Sequence, residues 1–160
     1  MSMPLQKPHR SKQDYGTPPE LLDSLKKYLG IDQFDYDLAA SNENHVAPKW
    51  YTESDDALKQ SWHEDIHEGW GFCNPPYANI TPWVKKAYEE SREGASIVML
   101  LPASVGSNWW SEWVHEKALV LFVSPRITFV GASDPYPKDC AILVYKRWYS
   151  PDYKTWNWRD

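Results

Sequence analysis

The run Ala95–Leu101 is the part of this sequence that most constrains its fold. Its letters, Ala-Ser-Ile-Val-Met-Leu-Leu, are almost continuously apolar, and Pro102 ends the run. A run this short and this apolar is typical of a strand buried on both faces, and such strands belong to parallel sheets covered by helices. The sequence therefore predicts an α/β domain built on a mainly parallel sheet.

Helix starts are indicated by threonines that precede proline. Thr17-Pro18-Pro19-Glu20 combines a capping hydroxyl, a proline suited to the first turn and an acid three positions after the threonine. This pattern predicts a helix that carries its leucines to Leu29 and ends at Gly30. Thr81 and Pro82 predict a second helix, which runs to about Arg92. Further short helices are predicted at 56–62 and after Ser107.

Several other segments have the composition of strands. They are Phe34–Ala39, Trp70–Cys73, Leu119–Val123, Arg126–Val130 and Cys140–Tyr145. The last two are joined by a loop that contains Gly and Pro, so we predict a C-terminal antiparallel hairpin. The polar stretch Ser41–Asp55 is interpreted as a long loop, and the residues from Trp148 onward show no clear period.

The chain length fits one domain with a single core, because 160 residues leave little room for two. We predict a flexible basic N-terminal segment at 1–13, a folded domain at 14–147 and a Trp-rich C-terminal tail at 148–160. No apolar run is long enough to span a membrane, and no signal peptide is visible, so we expect a cytoplasmic protein. No pattern specifies an oligomeric state.

Charge and cysteine usage narrow the class of function. The net charge of −5 excludes a strongly basic nucleic-acid coat protein, but it is compatible with a DNA enzyme whose cations are clustered. The cysteines, Cys73 and Cys140, lie in apolar runs, and no His/Cys spacing is typical of zinc. We therefore expect no metal site and interpret both cysteines as small buried hydrophobic residues.

The tetrapeptide Asn74-Pro75-Pro76-Tyr77 carries the clearest chemistry. It follows the predicted strand Trp70–Cys73, and ligands of parallel sheets bind where strands end; Asp37 also closes a strand. The two prolines remove two donors and stiffen the turn. The Asn74 side-chain oxygen and the Pro75 carbonyl can then converge on an amino group, with Tyr77 as a flat face beside them. An ordinary tight turn is the alternative interpretation.

These residues resemble motif IV of the amino-methyltransferases that use S-adenosylmethionine, and the wider pattern is similar to the phage-type DNA N6-adenine methyltransferase (Dam-like) family. The resemblance covers about Asp14 to Lys146. Its pieces are Tyr15-Gly16-Thr17-Pro18-Pro19, Asp37-Leu38-Ala39-Ala40-Ser41 with Asn44-His45, Asp55-Asp56-Ala57-Leu58 with Trp62, the Asn-Pro-Pro-Tyr turn, Leu100-Leu101-Pro102-Ala103 with Trp109, and Arg126-Ile127-Thr128-Phe129-Val130-Gly131.

The resemblance implies a Rossmann-like methyltransferase fold with helices on both faces of the sheet. It also implies S-adenosylmethionine as cofactor and double-stranded DNA as partner, with methyl transfer to the N6 of a flipped-out adenine. The implied catalytic residues are Asn74, Pro75, Pro76 and Tyr77. The implied cofactor-binding residues are Tyr15, Thr17, Pro18, Asp37, Ala39, Ser41 and Asp56. One departure is Ala39-Ala40-Ser41, which stands where the broader group has a Gly-rich loop.

Nucleic-acid contacts are implied for Trp109 and Arg126. The alternative role of Trp109 is to anchor the core or a loop. The alternative role of Arg126 is to pair with a carboxylate. Thr17 has an alternative as a helix cap. We expect DNA to meet the loops at 41–55, 105–108 and 131–139 and the basic pair Lys146-Arg147.

Two other functions remain open at the level of sequence. Asn-Pro-Pro-Tyr also occurs in methyltransferases of the same fold that act on RNA bases or on the glutamine side chains of proteins. A second alternative is a catalytically inactive DNA-binding module that keeps the fold. The intact Asn74 and Tyr77 argue against the inactive module.

Overall fold

A computed structural model describes residues 16–160. The predicted basic segment at 1–13 and Tyr15 lie outside these residues. The helices are α1 Pro19–Leu29, α2 Trp62–Ile66, α3 Thr81–Arg92 and α4 Asn108–Trp113. The strands are β1 Tyr36–Asp37, β2 Lys49–Trp50, β3 Trp70–Cys73, β4 Ser96–Pro102, β5 Leu119–Ser124, β6 Cys140–Tyr145 and β7 Asp152–Asn157. Within this described part, no helix has the length and apolar character needed to cross a membrane.

The strands form a 7-stranded sheet in the order β2-β1-β3-β4-β6-β5-β7. Strands β1 to β4 pair in parallel, β6 runs antiparallel to both β4 and β5, and β7 pairs in parallel with β5. Helix α3 packs against α2, α4, β4 and β6. The α/β prediction, with a mainly parallel sheet and an antiparallel C-terminal part, is confirmed.

Strand β4 is the centre of the core. Every residue of β4 is buried, and Ile97 to Leu101 have no exposed surface. Strand β3 covers one edge of β4 and β6 covers the other. The prediction of a strand buried on both faces at 95–101 is therefore confirmed, and so are the predicted strand Trp70–Cys73 and the predicted helix to Arg92.

The sheet brings the ends of its parallel strands together at one edge, which we call the carboxyl edge. There β1 ends at Asp37, which pairs with Phe72, and β3 ends at Cys73, which pairs with Met99. Asp37 and Asn74 therefore approach the same edge, as expected. The basic pair Lys146-Arg147 follows β6 at the opposite edge, where Lys146 Nζ donates to Ser96 Oγ at 2.6 Å.

The start of α1 differs from the prediction. The N-cap residue is Pro18, and among the described residues no side chain caps the first turn. The capping role predicted for Thr17 is therefore wrong, because the helix begins one residue later than the cap pattern requires. The predicted end is confirmed, since Gly30 has a left-handed φ of 72° and its amide bonds to carbonyls of the last turn.

The predicted strand Arg126–Val130 is also wrong, and so is its pairing with Cys140–Tyr145. Residues 126–130 alternate in burial, with Ile127 and Phe129 buried, yet the segment joins no strand of the sheet. Instead Val130 and Gly16 exchange two backbone hydrogen bonds, of 2.8 and 3.2 Å. The antiparallel partner of β6 at this end of the chain is β5.

Two regions without a clear period contain regular structure. The predicted loop 41–55 includes β2 and the 3-10 helix Glu53–Asp55, and the predicted helix 56–62 is a 3-10 helix, Ala57–Lys59, followed by α2. Residues 148–160, predicted as a tail, contain the edge strand β7. In β7 only Trp156 is buried, and that explains why the sequence shows no alternation there.

Candidate active site

The Asn-Pro-Pro-Tyr turn follows β3 at the carboxyl edge of the sheet. The Asn74 side chain is only 8% exposed, and both ends of its amide have partners. The Tyr77 hydroxyl donates to Asn74 Oδ1 at 2.8 Å, and Asn74 Nδ2 donates to Thr17 Oγ1 at 3.4 Å. The structure thus brings together three residues predicted for the site, one of them from the far N-terminal part of the fold.

Tyr77 points into the core rather than outward. Its ring meets Tyr136 edge-on at 6.1 Å between centroids, and its hydroxyl also lies 3.1 Å from the Leu100 carbonyl oxygen. Burial raises the pKa of the Tyr77 phenol well above its usual range, so it stays protonated. Because Tyr77 is 3% exposed, a base can stack on its ring only after neighbouring side chains move.

Asp37 is a buried carboxylate held by the backbone. It is 5% exposed, and its oxygens accept from the Ala39 amide at 3.2 Å and the Val46 amide at 3.0 Å. Burial raises the pKa of Asp37 from 3.8 to about 6, while these hydrogen bonds and nearby His45 oppose that rise. A carboxylate that is costly to ionise gains most from a cationic partner.

A cleft of about 450 Å³ opens beside the end of β1, and we call it the acidic cleft. It contains the predicted residues Ala39, Asp56 and Pro76. Its full lining is Leu38, Ala39, Ala40, Tyr51, Thr52, Glu53, Asp56, Ala57, Leu58, Pro76 and Trp83. Ser41 lies in an adjoining polar recess with Glu43 and Glu53. Thr17 and Pro18 are buried at the start of α1, and neither is among the residues that line the acidic cleft.

Asp56 occupies a constrained position in the wall of the acidic cleft. Its φ of 53° and ψ of 76° place it in the left-handed region, which most residues avoid. Buried Trp62 supports this turn, since its indole donates to the Ala57 carbonyl at 2.8 Å. Strained backbone that is held by a buried anchor is common in ligand sites.

Glu53 and Trp83 line the acidic cleft but were not identified from the sequence. Glu53 stands just after β2, and a strand of only Lys49–Trp50 leaves no pattern by which its end could be located. Trp83 lies in the first turn of α3, where an aromatic residue is indistinguishable from core.

A second cleft, of about 740 Å³, lies on the other side of the turn, and we call it the polar cleft. Its lining is Tyr77, Ala78, Asn79, Ile80, Thr81, Pro102, Ser104, Ser107, Trp109 and Lys138. The predicted residue Trp109 is therefore beside the turn. Arg126 is not part of this lining; it is half-exposed and pairs with exposed Asp139 at 3.1 Å. From the sequence, Lys138 was predicted only as part of the loop 131–139, and no motif singled it out.

The Asn-Pro-Pro-Tyr turn thus separates two cavities of different character. Pro76 lines the acidic cleft and Tyr77 lines the polar cleft, while Asn74 is buried between its two hydrogen-bond partners. Within residues 16–160, no cluster of His, Cys, Asp and Glu is arranged to hold a metal ion. The arrangement suits transfer of a group from a ligand in one cavity to a ligand in the other.

Comparison with known proteins agrees with this arrangement. The family model described as "DNA N-6-adenine-methyltransferase (Dam)" matches residues 5–156. A protein of Escherichia phage T1 named DNA N-6-adenine-methyltransferase is 33% identical over 114 residues, which are 71% of this chain and 46% of that protein. A protein of the same name from Haemophilus phage HP1 is 27% identical over 119 residues, which are 73% of this chain and 66% of that protein.

The chain therefore spans about half of one relative and about two thirds of the other. The family match, in contrast, covers nearly the whole chain and includes the turn, both clefts and the sheet. This chain belongs to the DNA N-6-adenine-methyltransferase (Dam) family.

Proposed function

We propose that this chain transfers a methyl group from S-adenosylmethionine to the N6 amino group of adenine in DNA. The observation that carries the proposal is the position of the Asn-Pro-Pro-Tyr turn between the acidic cleft and the polar cleft. A donor in the acidic cleft and a base in the polar cleft would meet at the turn that carries Asn74. The names of the phage relatives support adenine as the acceptor.

The residues of the acidic cleft fit the proposed cofactor. S-adenosylmethionine, when bound, supplies an electrophilic methyl group on a positively charged sulfur. Glu53 and Asp56 offer carboxylates suited to ribose and adenine, and Leu58 and Trp83 offer apolar surface. Asp37, which lies beside this lining rather than in it, would receive the cationic amine. Ala39 and Ser41 would leave space for the methionine end, and the resemblance adds Tyr15, Thr17 and Pro18 to this set.

The adenine amine is a weak nucleophile because its lone pair is delocalised into the ring. Asn74 Oδ1 and the Pro75 carbonyl would each accept one N6–H, which favours a more nucleophilic nitrogen and fixes its direction. Pro75 and Pro76 would keep the turn rigid. Asn74 and the Pro75 carbonyl would hold N6 towards the methyl group that S-adenosylmethionine would supply, and this methyl group would replace one N6 proton, which would pass to solvent.

DNA is proposed as the partner, and a target base inside a duplex must leave the stack to reach Asn74. The flipped nucleotide would enter the polar cleft past Trp109. Tyr77 would stack on the base once the side chains that cover the Tyr77 ring move. Arg126 would contact a phosphate. If the chain is encoded by a phage or prophage, as its relatives are, this activity would take place in the cytoplasm of a bacterial host.

A labelling experiment separates this proposal from its alternatives. The purified chain is incubated with methyl-labelled S-adenosylmethionine and separate DNA, RNA and protein substrates. We expect label in DNA, whereas label confined to RNA or protein would show that the acceptor is a different amine. Calorimetric titration with the cofactor tests the inactive module, because a protein without turnover has no need to bind a methyl donor.

A further inference from the structure

We propose that Thr17 and Tyr77 are positioning residues, which hold the Asn74 side-chain amide in the orientation that accepts a hydrogen bond from the substrate amine. The inference rests on the proposed function, since it concerns the same turn. It assigns Tyr77 a role for its hydroxyl that is separate from base stacking. It also assigns Thr17 a role separate from cofactor binding.

The Tyr77 hydroxyl lies between two acceptors. Asn74 Oδ1 is 2.8 Å away and the Leu100 carbonyl oxygen is 3.1 Å away. The phenol must donate its single proton to these oxygens, because neither of them can donate in return. Leu100 belongs to the fully buried strand β4, so the hydroxyl is held against the centre of the core. The oxygen end of the Asn74 amide is therefore directed by Tyr77.

Thr17 engages the other end of the same amide. Its hydroxyl oxygen lies 3.4 Å from Asn74 Nδ2 and accepts that N–H. Thr17 is 8% exposed, and the backbone on either side of it is anchored by the Gly16–Val130 bridge and by α1. A fixed acceptor at Nδ2 and a fixed donor at Oδ1 together select one orientation of the amide over the other.

Orientation matters because the two ends of an amide have opposite hydrogen-bonding character. The oxygen accepts and the NH₂ group donates, so an Asn74 side chain rotated by half a turn would present N–H to the substrate N–H. In the orientation held by Tyr77 and Thr17, one lone pair of Oδ1 receives the phenol proton. The second lone pair remains for the substrate amine.

The experiment compares Tyr77→Phe and Thr17→Val, which remove the hydroxyls with little change of volume. Thr17→Ser restores the threonine hydroxyl, and Tyr136→Phe is the matched control, because it removes a hydroxyl from the neighbouring buried tyrosine whose ring meets that of Tyr77. For each variant we would measure the single-turnover rate of methyl transfer to DNA and, by calorimetry, the affinities for S-adenosylmethionine and for DNA.

We expect Tyr77→Phe to lower the rate about tenfold or more and Thr17→Val to lower it about threefold to tenfold, as for loss of one buried hydrogen bond. The affinity of both variants for DNA and the affinity of Tyr77→Phe for the cofactor should stay within about twofold, a range that small hydrogen-bond differences cover. Thr17→Ser should recover the rate that Thr17→Val loses, and Tyr136→Phe should keep the wild-type rate. In NMR spectra of the cofactor-free protein, the Asn74 side-chain amide signals, assigned by their loss in Asn74→Ala, should shift in Tyr77→Phe and Thr17→Val only.

Specific results would overturn the inference. A Thr17→Val protein that binds the cofactor weakly but transfers methyl at the normal rate would show a cofactor contact alone. A Tyr77→Phe protein with the normal rate would show that only the ring matters. If wild-type protein methylates DNA and the variants are unaffected, this inference fails while the proposed function stands. If the wild-type protein transfers no methyl group to DNA, both fail.

Discussion

Asp37 Oδ2 accepts a hydrogen bond of 3.0 Å from the Val46 amide, nine positions along the chain. This bond closes the loop after β1 against the end of that strand, beside the residues that line the acidic cleft. Burial makes ionisation of this carboxylate costly and raises the pKa of Asp37 to about 6, although the hydrogen bond itself opposes that rise. The protonation state of the Asp37 carboxyl group therefore changes with pH close to neutrality.

We expect the affinity for S-adenosylmethionine to increase as pH rises through about 6, the pKa of Asp37. Only the ionised carboxylate attracts a cationic amine, so affinity should grow about tenfold between about pH 5 and about pH 7. Without ligand the sign is opposite, because a raised acid pKa means that the free energy of unfolding falls as pH rises between 3.8 and about 6. Calorimetry across this range provides the measurement, and an Asp37→Asn protein that keeps the same pH dependence would contradict the assignment.

Two substitutions of Asp56 separate the effect of its backbone conformation from the effect of its charge. Asparagine tolerates the left-handed backbone that Asp56 adopts, whereas alanine does not, so Asp56→Ala should lose about 1–2 kcal/mol of stability and Asp56→Asn little. The exposed ion pair with Lys59, at 3.6 Å, adds little to either value. Both variants should bind the cofactor about tenfold more weakly, since each removes the carboxylate. Full affinity in Asp56→Asn would remove Asp56 from the cofactor site.

Glu90 of α3 contacts α2 through His63 and pairs with Lys86 of its own helix. Its carboxylate lies 2.6 Å from His63 Nδ1 and 3.1 Å from Lys86 Nζ, and it raises the pKa of His63. A raised imidazole pKa contributes stability on the acid side that is lost as pH rises through it. We expect Glu90→Gln to cost about 1–3 kcal/mol at about pH 6 and less in alkaline solution.

Urea unfolding at several pH values measures this difference. Glu89→Gln is the control, because Glu89 is the exposed neighbour on the same helix. A cost for Glu90→Gln that does not change with pH would mean that the charge of His63 plays no part.

Arg126 and Arg147 form a matched pair for testing where DNA binds. Arg126 follows β5 at the carboxyl edge, while Arg147 follows β6 at the opposite edge. If Arg126 contacts a phosphate, Arg126→Gln should weaken DNA binding and reduce the slope of log affinity against log salt by about 0.9. Arg147→Gln should leave both unchanged, because the pair Lys146-Arg147 lies at the edge opposite the clefts, contrary to the DNA contact expected for it from the sequence. The ion pair of Arg126 with Asp139 is exposed, so the stability of Arg126→Gln should stay near wild type. Equal effects of the two variants on DNA binding would contradict this placement.

Local patterns account for what was predicted correctly. The apolar run of β4, the short strand before Asn74 and the Thr-Pro start of α3 each carry a signal within a few residues, and the structure follows them. Asp37 was identified because it ends a strand, and Asn74 because it directly follows one. Since parallel strands end at one edge, their approach follows from the topology.

The parts that the sequence did not reveal depend on contacts distant in sequence. The contact between Asn74 and Thr17 joins residues 57 positions apart, and no periodic pattern in the sequence predicts it. Residues 126–130 alternate in burial like a strand, but their partner is Gly16 rather than the sheet. Strand β7 lies at an edge with one buried side chain, so its sequence has no apolar repeat.

The central claim is that Asn74 presents the N6 of adenine for methylation, and the nucleosides of treated DNA test it most directly. DNA incubated with S-adenosylmethionine and either wild-type protein or Asn74→Ala is digested and analysed by mass spectrometry. Calorimetry checks that the variant still binds the cofactor. We predict N6-methyladenine with wild type and a loss of at least about a hundredfold with Asn74→Ala, because the substrate amine loses its acceptor. Methyl groups on another base, or equal methylation by the variant, would contradict the account.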